Sequence, residues 1–306
     1  MQMRKVAIIG VGHVGSTTAY TLILKNIVDE LVLFDSKEAI LEAELNDLMD
    51  GQMEQEQQVR LIEGNLTELA DTDVLIFCAG EISMLERNSD RFAELNRTKT
   101  IVEEWAPKIK ASGFNGILLS ITNPCDVITQ YLQELTGLPR QRVLGTGTSL
   151  DTGRMKHAVS TYLNIHPSTI EGYVIGEHGE SQFVAWSSVK INQQPITECL
   201  TPDELEKLND AARRGGWITF TGKGYTSFGI ATQTARIVEV LLGDQTLVVP
   251  ISYYQESDNC YAGFPAKISR DGFIEPFPLM LSASEQLKWQ QTIQRIHAMY
   301  ATIAHD

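Results

Sequence analysis

Two short stretches of the chain carry side chains of the kind that move a proton and hold an anion. In Gly176-Glu177-His178-Gly179-Glu180 a histidine stands between glycines, directly after a strand-like run. In Asp151-Thr152-Gly153-Arg154 an acid and an arginine sit three apart, which puts them on one face of a helix. An imidazole titrates nearest neutrality and needs an orienting carboxylate to fix its tautomer and stabilise its cation. Asp151 can serve His178 in that way, while Arg154 forks onto a substrate carboxylate as lysine cannot. Such a set could take a proton from an alcohol as a hydride leaves, and return it to a carbonyl in reverse. Spacing alone leaves open that His178 is structural or merely on the surface, since His13, His157, His166, His297 and His305 also occur.

A second constellation lies near the N-terminus. Gly10-Val11-Gly12-His13-Val14-Gly15 follows the strand-like run 6–9 and opens a helix-like stretch, the context in which this glycine pattern binds a dinucleotide. Gly10 permits the tight turn, Gly12 lets a pyrophosphate approach the backbone, and Gly15 allows close helix–strand packing. The helix N-terminus adds free N–H groups and partial positive charge. Asp35 closes the next strand-like run, 20 residues after Gly15 (35 − 15). A carboxylate there accepts from both ribose hydroxyls and repels a 2′-phosphate, which favours NAD over NADP. The plainer alternative is simple turns, with Asp35 capping the next helix. His13 is assigned no catalytic role.

The elements that would position these groups alternate in the first half. Strand-like runs at 6–9, 31–34, 59–62, 74–77, 117–120 and 142–145 are interleaved with helical stretches, the pattern of βαβ units and a parallel sheet. The fold class expected is α/β: a Rossmann-type doubly wound parallel sheet, followed by an α+β catalytic domain. The expected domains are 1–145 for the nucleotide and 146–306 for catalysis. In the second half, a helix at 150–162 leads into strand-like 170–175 and 184–191. Helices at about 202–216 and 225–242 follow, then strand-like 247–254 and 261–268. The end reads as an amphipathic helix opened by the capping box Ser282-x-x-Glu285, with Leu287, Ile293, Ile296, Tyr300 and Ile303 on one face.

Composition narrows the partners. With 25 Lys and Arg against 39 Asp and Glu in 306 residues, the formal net charge is −14. That argues against nucleic acid or an anionic membrane surface, both of which need a basic footprint. No apolar run approaches the ~18–20 residues of a membrane span, and the N-terminus runs straight into a strand, so the expected location is the cytoplasm. Cys78, Cys125, Cys199 and Cys260 show no metal-ligand spacing. They read as buried free thiols, and no metal site is expected.

GVGHVG, ITNP, LDTGRM and GEHGES, in that order over essentially the whole chain, resemble the L-lactate/malate dehydrogenase family. The resemblance implies that His178 is the acid/base, Asp151 its partner and Arg154 the carboxylate clamp. It also implies that Asn123, in Thr122-Asn123-Pro124, bonds the substrate oxygen and helps seat the nicotinamide, and that Thr226, in Lys223-Gly224-Tyr225-Thr226, lines the substrate pocket. Arg91 matches the arginine of a mobile loop that closes over substrate and polarises its carbonyl, the loop following Ala79-Gly80. The cofactor implied is NAD, held by Gly10, Gly12, His13, Val14, Gly15, Asp35, Ala79, Gly80 and Asn123. The partner implied is a small 2-oxo or 2-hydroxy acid, and the assembly a homo-oligomer, tetramer or dimer. A non-catalytic NAD-binding regulator would be expected to lack His178, Asp151 or Arg154, and all three are present.

The loop between Gly80 and Arg91 departs from the short lactate and malate patterns. It spans 11 residues (91 − 80) and reads EISMLERNSDR. Of Ile82, Ser83, Met84 and Leu85, the three apolar side chains could face a branched substrate, and each buried methylene contributes ~0.8 kcal/mol. Arg87, between Glu86 and Asn88, reads as an exposed charge. The segment SQFVAWS with GKGYTSFGIAT resembles L-2-hydroxyisocaproate dehydrogenases, which implies branched or aromatic 2-oxo acids, with pyruvate the alternative. Many bacterial members respond to fructose 1,6-bisphosphate through a basic residue and a histidine. Lys156 fills the first place but Glu171 the second, so no activation is expected.

Overall fold

The computed structural model describes residues 3–80 and 91–304, and the side chains of 91–94 lie outside that description. The first strand, β1 (Lys5–Ile9), is buried at every position, as a parallel strand covered on both faces must be. Helix α1 (His13–Leu24) returns the chain to β2 (Glu30–Phe34), and α2 (Glu38–Gly51) leads to β3 (Arg60–Glu63). The second run comprises β4 (Val74–Phe77), α3 (Arg91–Ala111), β5 (Ile117–Ser120), α4 (Cys125–Thr136) and β6 (Val143–Gly145). These six strands pair in parallel in the order β3-β2-β1-β4-β5-β6. This is the doubly wound order, whose crevice opens at the carboxyl ends of the strands where the order reverses, between β1 and β4.

Residue alternation builds the two covering layers. Val6, Ile8, Leu31, Leu33, Val74 and Ile76 pack on one face with Ala19, Leu22 and Ile23 of α1. Ala7, Ile9, Val32, Phe34, Leu75 and Phe77 pack on the other with Val102, Ala106 and Ile109 of α3 and Val127, Ile128 and Leu132 of α4. Gly10, Asp35 and Ala79 are therefore delivered to one edge, at the ends of β1, β2 and β4.

Beyond residue 145 come α5 (Ser149–Leu163), β7 (Ile170–Glu171), β8 (Val174–Ile175), β9 (Phe183–Val184), β10 (Lys190–Ile191) and β11 (Gln194–Pro195). Then follow α6 (Pro202–Lys223), α7 (Phe228–Leu242), β12 (Leu247–Gln255), β13 (Cys260–Ser269), β14 (Gly272–Pro276) and α8 (Ala283–Tyr300). The main sheet runs through this change of texture. β12 joins β6 antiparallel through Ser252 and Gly145, and β13 and β14 extend it to nine strands. The strands expected at 170–175 and 184–191 are broken into two-residue ladders. Gly172 (φ 129°) and Gly176 (φ 99°) turn the chain, and a 3₁₀ turn occupies Trp186–Ser188. Helix α6 runs past its expected end at 216 and stops at Gly224, which takes the left-handed cap conformation. The Ser282 capping box forms as expected. On α8, however, Leu287 is exposed while Ile293, Ile296 and Met299 are buried, as is Ile303 in the turn beyond it, because Leu287 lies off the stripe that Trp289 continues. Among the described residues no helix is long and apolar enough to cross a membrane.

Candidate active site

The histidine is carried on a loop that is tied down on both sides. Gly176 exchanges two backbone hydrogen bonds with Gly263 of β13, at 2.8 and 3.0 Å. A Cβ at 176 would lie 2.9 Å from Thr292 Oγ1, so glycine lets the loop approach α8. The Glu177 N–H then donates to Thr292 Oγ1 at 2.9 Å. The buried Glu177 carboxylate accepts from Ser181 and pairs with Arg295 Nε of α8 at 3.0 Å.

Thus anchored, His178 presents its Nδ1 to Asp151 Oδ2 at 2.6 Å. Asp151, 2% exposed in the first turn of α5, also accepts from Arg154 Nη1 through Oδ1 at 3.0 Å. The Gln182 amide is assigned with its nitrogen toward Asp151, 3.1 Å from Oδ1 and 3.0 Å from Oδ2, since the reverse would oppose oxygens. Burial works against ionisation of Asp151, yet the neighbouring His178 and Arg154 hold its carboxyl below the ordinary carboxylate range. Burial likewise disfavours the imidazolium, but Asp151, with help from Asp126, holds His178 above its ordinary value. An ionised Asp151 fixes the neutral tautomer with hydrogen on Nδ1 and leaves Nε2 to exchange a proton.

Arg154 reaches this carboxylate across an unusual stretch of helix. Gly215 and Gly216 lie in the interior of α6, where each glycine costs roughly 1 kcal/mol relative to alanine. A Cβ on Gly216 would stand 2.9 to 3.1 Å from the Arg154 guanidinium. Gly216→Ala should therefore stabilise the helix intrinsically yet displace the guanidinium. The expected outcome is a KM for the 2-oxo acid raised about tenfold with an unchanged or higher Tm, read by steady-state kinetics beside thermal unfolding. An unchanged KM would show that the guanidinium has room to move.

At the other end of the crevice the residues fit a dinucleotide. A Cβ on Gly10 (φ 93°) would meet the Cys78–Ala79 backbone at 2.8 to 2.9 Å, and one on Gly15 would lie 1.9 Å from Gly10 O. At Gly12 a Cβ would meet nothing within 4 Å. The first two positions are forced by packing and the third faces open space, where a phosphate could come close to the backbone. Gly12 caps α1 without a side-chain hydrogen bond, and Val14 follows in the first turn. Asp35 accepts from the Val11 N–H at 3.0 Å and the Lys37 N–H at 2.9 Å. It thus braces the glycine loop and holds the N–H of Lys37, the N-cap of α2, but the helix has no side-chain cap, so Asp35 does not cap it. His13 stacks on Tyr225, with ring centroids 3.7 Å apart and planes 5° apart, so the loop carrying Thr226 rests against the start of α1. Thr122 Oγ1 donates to Phe77 O and Ala79 O, at 3.2 and 3.0 Å, and binds the exits of β4 and β5 together beside Gly80. Asn123 is exposed there.

Arg91 begins α3, but its side chain lies outside the described residues, as do Ile82, Ser83, Met84, Leu85 and Arg87. Lys156 and Glu171 line one cavity of about 530 Å³ with Lys190 and Arg236. Burial and the Arg236 cation hold the Lys156 amine below its ordinary range. The thiols need one correction. Burial pushes Cys78, Cys125 and Cys260 up to about 12, whereas Cys199 is exposed on the short turn before α6. Among the described residues no cluster of His, Cys, Asp and Glu could hold a metal ion.

Three members of this arrangement escaped the sequence reading. Asp126 sits in the first turn of α4, where a carboxylate reads as an ordinary helix-dipole partner. Gln182 lies in a run with no periodic signal. The Gly215–Gly216 pair read as the end of a helix.

A glycine loop at the carboxyl edge of a doubly wound sheet, with a carboxylate, an imidazole and an arginine gathered beyond it, defines the class: a nucleotide-dependent oxidoreductase. The chain belongs to the lactate/malate dehydrogenase family. Residues 4–145 match the family model for the lactate/malate dehydrogenase NAD binding domain, and residues 148–305 that for its alpha/beta C-terminal domain. Its cofactor is accordingly NAD. The chain is 34% identical over 308 residues to L-lactate dehydrogenase 1 of Bifidobacterium longum subsp. longum, covering 97% of this chain and 96% of that one. It is also 34% identical over 312 residues to L-lactate dehydrogenase 2 of Enterococcus faecalis, covering 98% and 97%. The minor L-lactate dehydrogenase of Enterococcus mundtii, in a ligands-bound crystal structure, superimposes with a TM-score of 0.95 at 31% identity, covering all of both chains.

Proposed function

We propose that the protein interconverts L-2-hydroxy acids and 2-oxo acids, with a preference for branched or larger apolar side chains. The observation that carries the chemistry is that one buried carboxylate, Asp151, is shared by His178 at 2.6 Å and Arg154 at 3.0 Å. NAD, held by Gly10, Gly12, His13, Val14, Gly15, Asp35, Ala79, Gly80 and Asn123, supplies the hydride acceptor, or in reverse the donor. Arg154 binds the substrate carboxylate with the N–H groups it does not spend on Asp151. Asn123 and Thr226 place the substrate oxygen and side chain, and closure of the 81–91 loop brings Arg91 to the carbonyl and excludes water. In oxidation the neutral His178 takes the hydroxyl proton; in reduction its imidazolium returns it. Reduction thus needs the protonated form. Because His178 is held above its ordinary value, kcat/KM for reduction persists at neutral pH and falls as pH rises through that raised pKa.

One feature supports a roomy side-chain pocket: Ile82, Met84 and Leu85 give the 81–91 segment an apolar composition. The full-length likeness to proteins named L-lactate dehydrogenase favours the second reading, pyruvate and lactate. NADH-dependent reduction of pyruvate, 2-oxoisocaproate, phenylpyruvate and oxaloacetate decides between them. We expect kcat/KM for 2-oxoisocaproate to exceed that for pyruvate at least tenfold, about 1.4 kcal/mol in transition-state binding. A preference for pyruvate would mean that the loop folds inward and fills the space. A cytoplasmic homo-oligomer, tetramer or dimer, completes the reading, and it rests on the resemblance.

A further inference from the structure

Asp126 lies where three separate elements meet. It stands in the first turn of α4, three residues after Asn123, and is 1% exposed. Its Oδ2 accepts the backbone N–H of His178 at 2.8 Å, and its Oδ1 accepts Ser252 Oγ of β12 at 2.6 Å. A buried carboxylate is costly unless its lone pairs are satisfied and a countercharge is near. Here the two donors are a hydroxyl and the main chain of the histidine itself. Nothing in the packing of α4 needs a charge at this position, since its neighbours Val127 and Ile128 are core residues.

We infer that Asp126 is a positioning residue for the acid/base step: it pins the His178 backbone against the start of α4 and sets a second negative charge beside the imidazole. The inference rests on His178 being the proton carrier, as proposed above. Asp151 orients the ring from its Nδ1 side, while Asp126 fixes the backbone from which the ring projects. Because Asn123 lies just before the helical turn that carries Asp126, one hydrogen bond keeps the group meant for the substrate oxygen in register with the group meant for its proton.

Among the described residues, few charges surround the pair. Asp151 and Arg154 face His178 from α5, and Asp126 faces it from α4. Toward Asp126, Glu177 adjoins His178 on the same loop, with Arg295 of α8 paired to it. Among the described residues, Cys125 and Cys260, both with raised thiol pKa values, are further titratable neighbours of Asp126. Burial pushes the Asp126 carboxyl up to about 6, while Ser252 and the His178 N–H favour its ionised form. Above that value the charge is present and favours imidazolium.

Three variants test this through the pH dependence of NADH-dependent 2-oxo acid reduction, with NADH affinity and Tm measured alongside. Asp126→Asn keeps an acceptor for the His178 N–H but removes the charge. The midpoint of the descending limb of kcat/KM should move to lower pH by about one unit. Asp126→Ala also removes the pin, and kcat should fall about tenfold further with NADH affinity unchanged. Ser252→Ala leaves Asp126 in place and weakens only its ionised form, so the midpoint should move the same way by less; it serves if the Asp126 variants do not fold. Midpoints unmoved in Asp126→Asn and Ser252→Ala, whatever their Tm, would reduce Asp126 to a structural contact and overturn the inference. A His178→Asn enzyme that still turns over would instead remove the reading on which it rests.

Discussion

Replacing His178 by asparagine should lower kcat for both directions by about 10³-fold or more, with NADH bound as tightly as by the unaltered protein. Asparagine approximates the reach of the imidazole and keeps the backbone N–H that Asp126 accepts. Asp151 would lose its 2.6 Å partner but retain Arg154 and Gln182, so the buried carboxylate is not left unpaired. What disappears is the imidazole proposed to exchange a proton with the substrate near neutral pH. The residues proposed to hold the nucleotide lie on other elements, at the ends of β1, β2, β4 and β5 and the start of α1, which is why affinity for NADH should survive. Stopped-flow turnover with fluorescence titration of NADH separates the two. Loss of both together would mean that the loop after β8 had collapsed, and retained turnover would assign the proton to another group.

The parts of this molecule that were legible in advance are those written in local pattern. The glycine loop, Asp35 and the strands that carry them follow from unbroken apolar runs closed by small residues, and each falls within a stretch of about 30 residues. His178, Asp151 and Arg154 were legible as types at telling spacings, and the family resemblance joined them. Contacts of long sequence separation were not. Asp126 and His178 are 52 residues apart, and Asp126 and Ser252 are 126 apart; neither pairing leaves a periodic trace. The same holds for the sheet, which continues into the second half through the pairing of Gly145 with Ser252. The texture of the sequence does change near residue 145, but what changes is strand direction, from parallel to antiparallel. Gly215 and Gly216 misled for a physical reason as well. Glycine is the usual mark of a helix end, whereas here helix and arginine lie close together, and a Cβ at 216 would stand 2.9 to 3.1 Å from the guanidinium.

Arg154 should prove the second most sensitive position, and the form of the loss identifies its task. Arg154→Gln removes the fork meant for the substrate carboxylate and one of the donors to Asp151, so kcat/KM should fall about 10²–10³-fold. Most of the loss should appear in KM, because the substrate carboxylate keeps its charge throughout hydride transfer at the neighbouring carbon, so its ion pair is made in the ground state as well as the transition state. Arg154→Lys restores the charge without the planar fork and should recover only part of the loss. The lysine would also lack the flat surface that lets guanidinium lie against Gly216 at near contact. A further consequence separates clamp from scaffold. Without the Arg154 cation, Asp151 loses one of the influences that hold its carboxyl down, and His178 loses a cation that disfavours its protonation. The descending limb for reduction should therefore keep its midpoint or move upward, opposite to the shift expected for Asp126→Asn. A KM unchanged in Arg154→Gln would place the carboxylate site elsewhere and leave Arg154 as a partner of Asp151 alone.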